Sequence, residues 1–311
     1  MSFEHVSVLA SEAIDGLNIR KNKVYVDGTM GGAGHSQRIA ERLQGDGLLI
    51  CLDQDETAIA NGLQVLSRFG DTVRIVKSNF RHIDQVMEEQ AIEAVDGILL
   101  DIGVSSPQLD EADRGFSYNY DTYLDMRMDR QQSLTAHQIV NTWDEEEIAR
   151  ILWHYGEEKF SRKIARNIVT QRQKKPIDTT GELTEIIKDS IPAPARRTGP
   201  HPAKRSFQAI RIAVNDELGA LEEVLEKGIQ LLASGGRMAV ITFHSLEDRI
   251  VKKMFQKHTA GCTCPPGFPK CVCGYEERYR LITRKAIEPS QAEIDGNPRA
   301  RSAKLRVIEK L

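Results

Sequence analysis

Val24-Tyr-Val-Asp27-Gly28-Thr-Met-Gly31-Gly32-Ala-Gly34-His35, answered by Leu48-Leu-Ile-Cys-Leu-Asp53, reads as a strand, a glycine turn, a helix and a second strand that ends in an acid. Gly28, Gly31, Gly32 and Gly34 lack Cβ atoms, so the backbone can turn tightly off the strand and let a nucleoside come close to the helix N-terminus. Asp53 follows Gly34 by 19 residues, where a carboxylate can accept hydrogen bonds from both hydroxyls of a ribose. The pattern predicts a nucleoside-cofactor site. The bland alternative, a turn that holds nothing, leaves Asp53 without a reason.

Around this stretch, further short apolar runs at Val73–Val76, Ile98–Asp101 and Arg237–Thr242 suit buried parallel strands, as do Val24–Asp27 and Leu48–Asp53. Helical patterns separate them near Ser36–Leu43, Glu56–Ser67, Arg81–Glu89 and Asn215–Ala233. Strands alternating with helices predict a doubly wound, Rossmann-like α/β sheet whose ligands sit at the carboxyl ends of the strands. Asp27, Asp53 and Asp101 all fall at such ends.

The alternation stops after Asp101 and resumes near Asn215. Between them lie Tyr118, Tyr120 and Tyr123 in a loop-like stretch, then helical segments at Ala136–Trp143, Asp144–Tyr155, Phe160–Gln173 and Thr180–Ser190. Residues 109–213 are therefore expected to form a helical insertion facing substrate, and residues 1–108 with 214–311 a discontinuous cofactor domain.

At 311 residues the chain is one large domain or one domain carrying an insertion. No apolar run approaches the roughly 20 residues that span a bilayer, and the first residues lack the pattern of a signal peptide. No membrane association and a cytoplasmic location are expected. Five cysteines, an odd number, favour reduced thiols or metal ligands over a disulfide framework.

A net charge of only −3 argues against nonspecific coating of nucleic acid, but the charge is unevenly placed. Lys159 to Lys175 carries seven Lys or Arg and no acid, and Arg196 to Arg211 carries five more with His201. In the first stretch, Ile164 and Ile168 share one helical face while Arg162 and Arg166 lie on another, which suits a helix that packs on a core and offers guanidinium groups to phosphates. A solvated cationic face is the plainer reading of either stretch alone; the two together favour an RNA-facing surface.

Glycine turns of this kind hold NAD, FAD or S-adenosylmethionine. The spacing here is not the G-x-G-x-x-G that receives a pyrophosphate, and Asp27 stands directly before the glycines. A cofactor without phosphates needs a glycine bed and carboxylates, which points to S-adenosylmethionine. After the fourth strand, Asp101-Ile-Gly-Val-Ser-Ser-Pro107-Gln108 puts an acid and two hydroxyls where an amine nucleophile would meet a methyl donor. Asp101 is the candidate for orienting that amine. Its alternative is a turn cap shared with Ser105. Methyltransferases acting on exocyclic amines of DNA bases commonly carry an Asp/Asn-Pro-Pro-aromatic tetrad at this place, and this chain does not. His244, in Phe243-His244-Ser245-Leu-Glu-Asp248-Arg249, is read either as a group near substrate or as part of a helix start.

Cys262-x-Cys264 and Cys271-x-Cys273 form two close pairs. They fit either a tetrahedral zinc site or a reduced, redox-sensitive loop; the less common C-x-C spacing leaves both open, and no metal is assigned to the reaction. Cys51 reads as a small core residue.

Taken together, His5–Leu9, Asp27–Ser36, Asp101–Asp110, Arg114-Gly-Phe-Ser117, Leu124-Asp-Met-Arg-Met-Asp129, Tyr155–Phe160, Phe207–Ile212, Phe243–Arg249 and Asn297–Ser302 closely resemble one family. It is the family of the bacterial ribosomal RNA small subunit methyltransferase H, which methylates the N4 amine of a cytosine in 16S rRNA, and the likeness runs nearly end to end. The resemblance implies an S-adenosylmethionine-dependent methyltransferase sheet with an inserted helical domain. It implies methylation of a decoding-centre, P-site cytosine of the small ribosomal subunit, whose 16S rRNA is the partner, and it leaves a homodimer open. It also implies that Ala33, Gly34, His35, Asp53, Phe80, Asp101 and Gln108 hold the cofactor. About the cysteine pairs it says nothing firm. A DNA amino-methyltransferase and an NAD-dependent oxidoreductase or noncatalytic binding module are the alternatives.

Overall fold

The computed structural model describes residues 7–104, 111–197, 199, 201–262, 264, 273 and 276–311. Seven strands, β1 Lys23–Asp27, β2 Gly47–Asp53, β3 Val73–Lys77, β4 Val95–Asp101, β5 Leu232–Thr242, β6 Tyr279–Leu281 and β7 Lys304–Lys310, form one sheet in the order β3-β2-β1-β4-β5-β7-β6. Strands β1 to β5 pair in parallel, and β7 runs antiparallel between β5 and β6. The parallel part is the doubly wound α/β arrangement expected from the apolar runs.

Those runs are continuous because both faces of the sheet are covered. Tyr25, Leu49, Cys51, Leu99, Ala239 and Ile241 enter one core, with Ala13, Ile14 and Leu17 of the helix Ala10–Leu17 and Ile39 and Leu43 of the helix Gly34–Leu43. The alternate residues Val26, Ile50, Leu52, Ile98, Leu100 and Val240 enter a second core with Ile83, Leu221, Val224 and Val251. Strands buried on both faces lose the polar alternation of half-exposed ones.

The chain divides into two compact units, Met1–Gly103 with Leu218–Leu311, and Val104–Glu217. The second holds a core of its own, including Leu124, Met126, Ile148, Ile151, Ile164, Ile168, Phe207 and Ile210. Three of its helices start at capping boxes, Thr135 with Gln138, Asp144 with Glu147 and Thr179 with Glu182, each pair satisfying backbone N–H groups at a helix start. The Leu124–Asp129 segment serves this fold. Buried Arg114 donates to the carbonyls of Arg127 (3.0 Å) and Met128 (3.1 Å), and Asn215 accepts from Met128 N–H at 2.8 Å while donating to Met126 O at 2.8 Å.

Gly156 ends the helix Glu145–Gly156 against the helix Lys204–Asn215. A Cβ there would lie 2.6 Å from the Arg205 carbonyl oxygen and 3.2 Å from the Ala209 Cβ. Gly156→Ala is therefore expected to destabilise this unit by about 1–3 kcal/mol, the usual cost of overpacking, read as a lower denaturant midpoint. An unchanged midpoint would show that the two helices separate at no cost.

Candidate functional site

The register of the central strands shapes the site. Asp27 pairs with Cys51 of β2 and with Leu99 of β4. Asp53 and Asp101 each reach two residues further, roughly 7 Å at strand rise. Their carboxylates flank a notch above the end of β1, beside the point where the strand order reverses, the place at which open α/β sheets bind ligands.

The glycine turn fills the floor of that notch. Gly28 N–H donates to Leu99 O at 2.9 Å, and a Cβ on Gly28 would fall 2.6 Å from a Leu100 methyl. Met30 N–H donates to Leu52 O at 2.9 Å. Gly31 and Ala33 take positive φ, 48° and 63°, and the helix Gly34–Leu43 begins directly after them.

Asp27 is a brace. It is fully buried, accepting from Ser36 Oγ at 2.6 Å and from Thr29 N–H at 3.1 Å, so it ties the turn to the first turn of the helix. Burial pushes its carboxyl up, against the pull of Ser36 and His35. Thr29 passes the constraint on, since its Oγ1 accepts the Asp101 backbone N–H at 2.6 Å. Neither Thr29 nor Ser36 stands out in the sequence, because Thr29 acts on a residue that only the fold places beside it and nothing marks Ser36 as the partner of Asp27; the sole signal is their position in and beside the glycine stretch.

Asp53 has a different environment. Its Oδ2 accepts Gly31 N–H at 2.8 Å and its Oδ1 accepts Asp55 N–H at 2.9 Å. A carboxylate has about four acceptor positions, so these contacts fix its orientation and leave capacity for two more donors. Burial pushes this carboxyl up to about 6, even though both N–H groups favour the charged form. Ser78 N–H donates to the Asp53 carbonyl at 2.9 Å, and Asn79 caps the short turn Phe80–His82 while its amide donates to Gln54 Oε1 at 2.7 Å. This holds Phe80 beside the turn: its Cβ lies 3.5 Å from where a Gly28 Cβ would be.

His35 is buried, with Nε2 at 3.5 Å from Asp101 Oδ2. Burial opposes charge on the imidazole, but the Asp101 carboxylate, with Asp27 behind it, outweighs burial and holds the pKa above its ordinary value. Among the described residues, His35 Nδ1 and Asp101 Oδ1 are buried without a hydrogen-bond partner. Buried polar atoms left unsatisfied are costly and uncommon. Here both belong to residues beside the glycine turn and the strand-end acids, polar atoms that a bound polar ligand could satisfy.

Of the expected cofactor residues, the structure brings Ala33, Gly34, His35, Asp53, Phe80 and Asp101 to this one end of the sheet. Gln108 lies outside the described residues. His244 is a helix cap: its Nδ1 accepts Glu247 N–H at 3.4 Å, and Glu247 Oε2 accepts the N–H groups of Phe243 and His244 at 2.8 and 3.1 Å. Cys51 is buried in the core, its thiol directed at Ser36 Oγ.

In the helical unit, Ile164 and Ile168 of the helix Ser161–Arg172 are fully buried while Arg162 and Arg166 are exposed. A concavity of about 790 Å³ runs between this helix and Glu145–Gly156, with Arg150, Trp153, Lys159, Arg162, Lys163 and Arg166 in its lining. Trp153 is 55% exposed, too much for a core residue. Glu145 and Glu146 also line it, and Arg166 Nε lies 3.5 Å from Glu145, which leaves the lining in cationic excess. Among the described residues, no helix is long and apolar enough to cross a membrane.

A model of the MraW methylase family matches residues 2–311. The ribosomal RNA small subunit methyltransferase H of Brevibacillus brevis is 61% identical over 311 residues, 100% of this chain and 99% of that protein. The proteins of the same name from a Paenibacillus species and from Lachnospira eligens are 58% and 55% identical. They cover 99% and 100% of this chain, and 100% and 99% of their own lengths are matched.

Proposed function

This chain belongs to the MraW methylase family, and from that membership together with the strand-end site we propose that it methylates the N4 exocyclic amine of a decoding-centre cytosine in 16S rRNA of the small ribosomal subunit. The coarser statement, an rRNA methyltransferase that uses S-adenosylmethionine, follows from the family and its relatives. The observation that carries the finer reading is the Asp101 carboxylate at the switch point, with one oxygen directed at His35 and the other without a partner among the described residues.

The residues present fit the cofactor. The missing Cβ of Gly28 lets the turn pack closely on Leu100 at the floor of the notch, and Asp53 retains acceptor capacity for two ribose hydroxyls. Phe80 stands where a ring can flank a purine, and His35 and Asp101 offer buried polar atoms. Ala33, Gly34, His35, Asp53, Phe80, Asp101 and Gln108 are the residues we assign to holding it. When bound, it supplies a methyl group on a cationic sulfur, an electrophile that needs no metal and no covalent enzyme intermediate.

The protein's share of the chemistry is then alignment and proton acceptance. A cytosine amine is a weak nucleophile because its lone pair is delocalised into the ring. A carboxylate that accepts an amine hydrogen favours a pyramidal nitrogen and takes the proton released when the N–C bond forms. Asp101 is rigid enough for this task, since its backbone is pinned by Thr29 and its Oδ2 faces His35.

A base edge is reached only if the nucleotide is unpaired or leaves its stack. The groove lined by Arg150, Lys159, Arg162, Lys163 and Arg166 supplies phosphate contacts, and the exposed Trp153 indole is a surface on which a base can stack. Replacing both Arg162 and Arg166 by Ala is expected to weaken rRNA binding and lower the slope of log affinity against log salt by roughly 1.5 to 2, with cofactor affinity unchanged. An unaltered salt slope would remove this helix from the RNA interface.

The reaction itself is tested by incubating the protein and S-adenosylmethionine with small subunits lacking the modification, naked rRNA or DNA, then digesting and searching for N4-methylcytidine by mass spectrometry. Product on subunits is expected. Its absence from every RNA, with cofactor binding intact, would overturn the assignment of substrate.

A further inference from the structure

Four of the five cysteines fall between the helix Ser245–His258 and β6, as Cys262-x-Cys264 and Cys271-x-Cys273. Three of these are among the described residues, and they converge. The sulfur atoms of Cys262, Cys264 and Cys273 all lie within 4.8 Å of one another, with 3.4 Å between Cys262 and Cys273. Cys264 and Cys273 are nine residues apart along a Pro- and Gly-containing stretch of sequence.

The spacing of the sulfurs decides what they suit. A disulfide holds its sulfurs about 2.05 Å apart, and the 3.4 Å here is a non-bonded separation. Four thiolates on a tetrahedron with Zn–S near 2.3 Å stand about 3.8 Å from one another. The three observed sulfurs, with one pair at 3.4 Å and all within 4.8 Å of one another, are compatible with that edge. Cys264 N–H also donates to Cys262 Sγ at 3.4 Å, a contact that favours the thiolate and orients it, as the outer partners of a metal ligand do.

We propose that Cys262, Cys264 and Cys273 are ligands of a structural zinc ion that clips this segment between the end of the helix and β6. Each thiol gives up its proton to solvent as it binds, so affinity rises with pH. A closed tetrahedral site takes a fourth ligand besides these three thiolates. The site has no place in methyl transfer: none of its ligands belongs to the strand-end notch, and its role is to fix backbone that has few apolar residues to bury.

The test uses the full chain purified under reducing conditions without chelator. Elemental analysis is expected to find about one zinc per chain, released as the thiols are titrated with a mercurial. Cobalt(II) added to the metal-stripped protein is expected to give thiolate charge-transfer absorption and the intense visible bands of tetrahedral coordination. Cys262→Ser, Cys264→Ser and Cys273→Ser should each lose most of the zinc, whereas Cys51→Ser should keep it, and unchanged S-adenosylmethionine affinity in all four would show that they remain folded. Reduced protein that carries no zinc and gives no cobalt spectrum would overturn the proposal, as would zinc retained by all three loop variants.

Discussion

Asp53→Ala is expected to weaken S-adenosylmethionine binding by at least about 100-fold while the sheet remains folded, because two hydrogen bonds to a charged acceptor, each worth about 1.5–3 kcal/mol, disappear together. The same carboxylate predicts a pH dependence that needs no mutation. Its pKa in the folded protein is about 6, against an ordinary 3.8, and the largest cause is burial. The sign follows directly. The folded chain binds this proton more tightly than the unfolded chain does, so ionising Asp53 costs folding free energy as the pH rises from about 4 to 6, and the cost is constant above that. Hydroxyl donors of a bound ribose offset that cost only for the charged form. Affinity should therefore rise as the pH climbs through 6, with binding at pH 5 roughly tenfold weaker than at pH 7.5. Calorimetry over this range is the measurement. A flat profile, or a variant with near-normal affinity, would show that the ribose is held elsewhere.

How far this site was legible in the sequence depends on whether a residue acts through its own position or through the register. The acids of the first, second and fourth strands show because buried parallel strands are written as continuous apolar runs, and an acid that ends such a run is conspicuous. Thr29 and Ser36 act on Asp101 and Asp27 at separations of 72 and nine residues, and only the assembled sheet brings the first of those pairs together. The last strand escaped notice for a related reason. In Lys304–Lys310 charged side chains interleave with Leu305, Val307 and Ile308, so the segment reads as polar. In the fold Arg306 is paired by Asp248 at 2.7 Å, and Glu309 by Arg237 and Arg280, each at 2.6 Å. The helix Ala10–Leu17 has apolar residues at i, i+3, i+4 and i+7, but it is only eight residues long and no side chain caps its start, leaving too little periodic signal to separate it from a loop. His244 shows the opposite case. A histidine at a strand's carboxyl end invites a chemical role, and the Glu three residues later is what marks it as a cap.

Asp101→Asn should leave cofactor affinity within a few-fold of normal and lower the turnover of methyl transfer by about 100- to 1,000-fold, the range expected when a positioned proton acceptor is removed. Asparagine keeps the shape and keeps an oxygen, so the backbone anchor to Thr29 at 2.6 Å survives; what is lost is the charge that accepts the amine proton. A second readout separates this from a packing defect. Burial disfavours a charged His35, and the Asp101 carboxylate at 3.5 Å is the main reason that its pKa is nevertheless raised. The stability that a protonated His35 confers is fully present below its ordinary value of 6.5 and is lost as the pH rises through the folded value. In Asp101→Asn burial is left to dominate, so the His35 titration followed by NMR should move to lower pH, and the variant should lose stability relative to the parent chiefly on the acid side. A turnover defect accompanied by that shift ties the loss to the charge on Asp101. If turnover stays normal while His35 shifts, the amine proton goes to another acceptor, and Asp101 is left with holding His35 and the cofactor.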